Sequence, residues 1–118
     1  AAARHGFDHA VCTKVRHGDR DVTIELPPLH AQGRAVVLLD DMASTGRTLA
    51  QAARLLRAAG AASVDVAVTH ALFAGDALQA LHDAGVGEVW STDCIPHASN
   101  AVPMAEPLAQ ALRSLLPA

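Results

Sequence analysis

Apolar positions along this chain come in short continuous runs, separated by stretches where they recur every three or four residues. Ala35-Val36-Val37-Leu38-Leu39 is one such run, closed by Asp40, and it predicts a parallel strand covered on both faces. Leu49, Ala52, Ala53 and Leu56 then recur at helical spacing with Arg54 and Arg57 opposite them, which predicts a helix over 49–59 closed by Gly60. A second strand is expected over 64–69, a second helix over 75–84 with Gly85 behind it, and a third strand over 88–92. A last helix is expected from Pro107, since proline fits a first turn. Upstream, 9–15 reads as a short strand, and Val22-Thr23-Ile24-Glu25-Leu26 alternates like an edge strand stopped by Pro27-Pro28. The polar stretch 16–33 is longer than an ordinary connection, and such lengths usually mark a functional or mobile segment.

Strands alternating with helices over short connections form the βαβ pattern. The expected fold is therefore α/β, a doubly wound parallel sheet with right-handed crossovers and helices on both faces. Ligands on such sheets bind beyond the carboxyl ends of the strands, which directs attention to the residues after Asp40, His70 and Thr92. A length of 118 residues suits one domain, and 51% apolar against 18% charged residues supplies a core without a signature of disorder. The net charge of -3 and pI near 6.1 argue against a nucleic-acid binder held by phosphate electrostatics. The longest apolar run, Ala35 to Leu39, is far below the ~20 residues that span a bilayer, so no membrane role is expected. Ala1-Ala2-Ala3-Arg4-His5-Gly6 has no apolar signal region and opens as though inside a helix, so a piece of a longer, cytoplasmic protein is expected. Cys12 and Cys94 stand far apart without CxxC spacing and read as buried thiols rather than a disulfide or metal pair.

The segment Val36 to Leu49, VVLLDDMASTGRTL, carries the chemistry. Two acids end a buried strand, and Ser44-Thr45-Gly46 leads into a helix. A helix start offers free backbone N–H groups and partial positive charge, which suits a phosphate. Gly46 permits close backbone approach, and Ser44, Thr45 and Thr48 add hydroxyl donors. Carboxylates repel phosphate, so Asp40 and Asp41 suit instead a neutral vicinal diol beside it. Together these residues describe a ribose 5-phosphate site. The plainer reading is that Ser44 or Thr45 only caps the helix and that the acids are a solvated strand end.

VVLLDDMASTGRT resembles the phosphoribosyl pyrophosphate (PRPP) loop of type I phosphoribosyltransferases and of the ribose-phosphate diphosphokinase (PRPP synthetase) family. GAASVDVAVTHALFAGDALQAL (60–81) and GVGEVWSTDCIPH (85–97) resemble the synthetases specifically, in their Thr-His-x-Leu-Phe and Thr-Asp-x-Ile-Pro segments. The likeness runs over roughly Ala10 to Leu115 and corresponds to the synthetases' C-terminal half. It implies a phosphoribosyltransferase-like fold, ATP and ribose 5-phosphate as substrates, Mg2+ as cofactor, and a homo-oligomeric full-length enzyme.

Carried over by residue, the resemblance puts ribose 5-phosphate on Asp40 and on Ser44, Thr45, Gly46, Arg47 and Thr48, with Arg16 as a further contact and Asp41 acting through magnesium-bound water or the loop backbone. It makes Lys14 and Arg16 the catalytic Lys-x-Arg that stabilises the phosphoryl-transfer transition state, where residue type alone would equally allow two solvated cations. Arg47 departs from the family's usual glycine, and it either reinforces the phosphate site or points to solvent. The family's acidic metal ligand lies ahead of this chain, so no metal ligand is expected within it, and the chain alone is expected not to make PRPP. A PRPP-consuming transferase and a non-catalytic regulator on the same fold are the alternatives, though intact Lys14, Arg16, Asp40 and Thr48 speak against a regulator. Among weaker candidates, His5 and His9 are spaced for a helical metal pair that Gly6 interrupts. His70 closes a strand on the ligand side, His97 reads as a loop residue, and Trp90 as core or interface.

Overall fold

Two sheets make up the β structure of the computed structural model, which describes residues 8–16, 22–25, 31–113 and 115. The larger is parallel in the order β3-β4-β5-β6, formed by Ala35–Ala43, Ser63–Ala71, Val86–Thr92 and Asn100–Val102. The smaller pairs β1 (Thr13–Arg16) antiparallel with β2 (Val22–Glu25), Lys14 standing opposite Ile24 and Arg16 opposite Val22. Helix α1 (Arg47–Ala58) joins β3 to β4, α2 (Ala77–Asp83) joins β4 to β5, and α3 (Ala105–Arg113) follows β6.

Strands adjacent in sequence are adjacent in the sheet. Right-handed crossovers that keep stepping one way lay their helices on the same face, and α1 and α2 accordingly touch each other and share one core. Leu49, Ala53 and Leu56 of α1 and Leu81 of α2 join Val64, Val66 and Val68 of β4 in that core. Each fully buried Val or Leu there contributes about 1.5–3 kcal/mol. α1 and α2 thus form one helix layer of the doubly wound arrangement. On the opposite face Val37 and Leu39 are 49% and 70% exposed, so β3 alternates in burial where its continuous apolar run predicted cover on both sides. Topology is the cause, because the described crossovers supply helices to one face only.

Several boundaries differ from expectation. β3 runs past Asp40 to Ala43 because Met42 and Ala43 still pair with His70 and Ala71 of β4. The first strand covers 13–16 rather than 9–15, its extent set by pairing with β2. Pro27 and Pro28, expected to stop β2, lie outside the described residues. Ile24, 4% exposed, docks β2 against α1, and its amide donates to Gln51 Oε1 at 3.1 Å. Helix α3 starts at Ala105, which leaves Pro107 inside the first turn, where its missing N–H breaks no helical bond. Cys12 and Cys94 are both free thiols, but they are half-buried and exposed respectively, so the expectation of two buried thiols is corrected. Among the described residues no helix is long and apolar enough to cross a membrane.

Candidate functional site

The turn that ends β3 is built around Gly46. It is the N-cap of α1 with φ 76°, and a Cβ there would lie 3.2 Å from the Ala77 carbonyl oxygen. That combination of left-handed backbone and close approach suits glycine. As a glycine, this N-cap brings no side-chain cap of its own. The Thr45 hydroxyl stands a long 3.4 Å from the Arg47 amide, and Ser44 and Thr45 are both exposed. The helix start thus uses the Thr45 hydroxyl in one long bond, and it makes none to Ser44 among the described residues. α1 has no acidic residue in its first turn and begins instead with exposed Arg47, followed by half-buried Thr48. Helix starts favour carboxylates because the dipole is positive there. This one carries a cation, which concentrates positive potential as an anion site requires.

Asp40 and Asp41 lie inside the strand rather than beyond it, so pleat alternation sends them to opposite faces. Asp40 shares the side of Val36 and Leu38, which pack toward the helix layer, and its Oδ1 accepts the Asp41 amide at 2.8 Å. Asp41 shares the exposed side of Val37 and Leu39. An open hollow of about 550 Å³ lies at the carboxyl end of the sheet, lined among others by Leu39, Asp41, Thr69, Trp90, Thr92 and Val102. The structure thus brings the acids together with Thr69 and Trp90, which sequence reasoning did not place at the site. The signal was present in β4, where Asp65, Ala67 and Thr69 occupy the face opposite Val64, Val66 and Val68.

Two further loops meet this edge. The Phe73 amide donates to the Ala43 carbonyl at 2.9 Å and the Ala74 amide to the Ser44 carbonyl at 2.7 Å. The Phe73 and His97 rings stand 4.9 Å apart, centre to centre, at 47°. His97 is therefore a loop residue in contact with the site's support. His70 lies within β4 opposite Met42, and it is exposed. The backbones of Lys14 and Arg16 lie in β1, while their side chains fall outside what the structure describes. His5 also lies outside the described residues, and His9 is exposed. Among the described residues no three His, Cys, Asp or Glu side chains gather as a metal cage would require.

A parallel α/β sheet with an anion-suited turn at its carboxyl edge, and acids to either side of β3 beside it, defines the class of fold and site. Residues 14–106 match the Phosphoribosyl synthetase-associated domain, and the chain belongs to that family. It is 40% identical over 114 residues to a ribose-phosphate pyrophosphokinase of Methanosarcina acetivorans, covering 97% of this chain and 40% of that protein. A ribose-phosphate pyrophosphokinase of Methanopyrus kandleri is 38% identical over 109 residues, covering 92% of this chain and 37% of the relative. The crystal structure of phosphoribosylpyrophosphate synthetase from Mycobacterium smegmatis is similar with TM-score 0.65 and 31% identity, over 88% of this chain and 36% of that one. The fold is thus of the phosphoribosyltransferase-like type expected, and the chain spans about 40% of the length of the curated relatives it matches.

Proposed function

We propose that this chain is a single phosphoribosyltransferase-type domain, the C-terminal half of a cytoplasmic ribose-phosphate diphosphokinase that assembles as a homo-oligomer. The reaction joins the anomeric hydroxyl oxygen of ribose 5-phosphate to the β-phosphorus of ATP. The bond from that phosphorus to the oxygen bridging it to the α-phosphorus breaks, and AMP leaves with PRPP as the other product. The observation that carries the reading is the Ser44–Gly46 turn into a glycine-capped, cationic helix start, lying within a segment similar to ribose-phosphate pyrophosphokinases.

In this reading Ser44, Thr45, Gly46, Arg47 and Thr48 take the 5-phosphate through hydroxyls, backbone amides and one guanidinium. Asp40 receives the ribose hydroxyls from the helix side of the strand, and Arg16 adds a phosphate contact. Lys14 and Arg16 stabilise the charge that spreads over the transferring group, which fixed cations do at no reorganisation cost. Mg2+ is usually held by one or two carboxylates together with substrate phosphates and water. Exposed Asp41 fits that role through a bound water, and the ion would neutralise triphosphate charge. By the resemblance, the ATP site draws on the N-terminal half and on a neighbouring subunit, so the chain alone is expected not to make PRPP.

The test uses the full-length protein with ATP and ribose 5-phosphate, following AMP. Lys14→Ala is expected to lower kcat far more than it raises the KM for ribose 5-phosphate. Equal loss in both would make Lys14 a binding residue only. Base-dependent pyrophosphate release without ATP would replace the reading with that of a transferase.

A further inference from the structure

Among the described residues, Phe73 is the sole non-glycine with positive φ, at 37°. A bulky aromatic residue in that region is a strained outlier and persists only where its surroundings over-determine it. Glycine or asparagine would meet the backbone requirement more easily. The side chain must therefore supply what offsets the strain. The Phe73 ring is half-buried against the core and packs on the His97 ring, 4.9 Å between centres.

His97 is itself held from several directions. Its Nδ1 accepts the Ser99 amide at 3.0 Å, and its own amide donates to Asn100 Oδ1 at 3.0 Å. Asn100 Nδ2 donates to Ser91 Oγ, to the Thr92 carbonyl and to the Ile95 carbonyl at 2.9, 2.9 and 3.0 Å. One end of Phe73 thus rests on a fixed loop. Its other end grips the turn: the consecutive amides of Phe73 and Ala74 donate to the carbonyls of Ala43 and Ser44, where β3 gives way to Ser44-Thr45-Gly46. Both donors point correctly only while Phe73 keeps its left-handed conformation.

We propose that Phe73 is a positioning residue that braces the Ser44–Gly46 turn against the His97 loop and so presets the turn for its sugar-phosphate ligand. This rests on the ribose 5-phosphate reading above. The ring makes no contact with ligand. It fixes the backbone that fixes the turn, and a preset turn loses less conformational freedom on binding.

The experiment compares wild type, Phe73→Gly, Phe73→Tyr and His97→Ala by amide hydrogen exchange without ligand and by calorimetric titration with ribose 5-phosphate. Urea unfolding serves as the control for global stability. Phe73→Gly relieves the strain while removing the ring, so the Ala74 amide should exchange at least tenfold faster with little change in global unfolding. Ribose 5-phosphate should bind on the order of tenfold more weakly, about 1.4 kcal/mol. Phe73→Tyr should restore both, and His97→Ala should shift both in the same direction by a smaller factor. Ala74 exchange that follows only global unfolding, or unchanged affinity in Phe73→Gly, overturns the proposal. Wild type that binds no ribose 5-phosphate, with the exchange difference intact, supports the brace and overturns the functional reading beneath it.

Discussion

Replacing Gly46 by alanine perturbs the turn in two separable ways. The residue sits at φ 76°, where a side chain bearing a Cβ is strained by about 1–2 kcal/mol. The new methyl would also lie 3.2 Å from the Ala77 carbonyl oxygen and 3.5 Å from Leu81 Cγ. The carbonyl belongs to the first residue of α2 and the leucine is fully buried, so relief requires α1 and α2 to move apart. Reduced freedom of the unfolded chain works the other way by about 0.4–1 kcal/mol. Allowing for the contact, the net destabilisation is about 1–2 kcal/mol. At roughly 4 °C per kcal/mol for a chain of this size, Tm should fall by about 4–8 °C. Thermal and urea unfolding of the chain measure it, with Gly46→Asn alongside. Asparagine tolerates the left-handed region yet carries the same Cβ, so an Asn variant well above Ala assigns the loss to backbone strain, and equal values assign it to the Ala77 contact. An alanine variant within about 0.5 kcal/mol of wild type would refute both parts of the reasoning.

Arg47→Gln removes a cation from the positive end of α1. The unliganded chain should gain about 0.3–1 kcal/mol in urea unfolding while its affinity for ribose 5-phosphate falls. No change in either would mean that Arg47 serves solvent alone. Burial pushes the Cys12 thiol up from its usual range, whereas Cys94 is exposed. Because the thiolate is the nucleophile, iodoacetamide at neutral pH should label Cys94 first in peptide mapping, and preferential labelling of Cys12 would contradict this.

The central strands and both crossover helices were legible in the sequence because their apolar periods are unambiguous. Val64, Val66 and Val68 alternate with polar or small residues, and Leu49, Ala53 and Leu56 recur at helical spacing. The exposed face of β3 was not legible. Its run is apolar at every position from Ala35 to Leu39, so composition carries no sign of which side is covered. Sheet order decides that, and sheet order is non-local. The placement of Asp40 and Asp41 on opposite faces was hidden for a related reason. Where β3 ends depends on its pairing with His70 and Ala71, far along the chain. β6 leaves no signal in the sequence because three residues, Asn-Ala-Val, make no pattern, and pairing with β5 and the Asn100 side chain hold it rather than hydrophobic burial. The grip of Phe73 and Ala74 on the turn runs through backbone amides, which leave no trace in residue type.

Calorimetric titration of the chain with ribose 5-phosphate, beside ribose and beside the Asp40→Asn variant, separates the phosphate contact of the turn from the sugar contact of the strand acid. The expected result is saturable binding of ribose 5-phosphate, none of ribose, and a marked loss of affinity in Asp40→Asn. Binding of ribose as tightly as ribose 5-phosphate, or full affinity without the Asp40 carboxylate, would contradict a site in which the turn holds the phosphate and the strand acid holds the sugar.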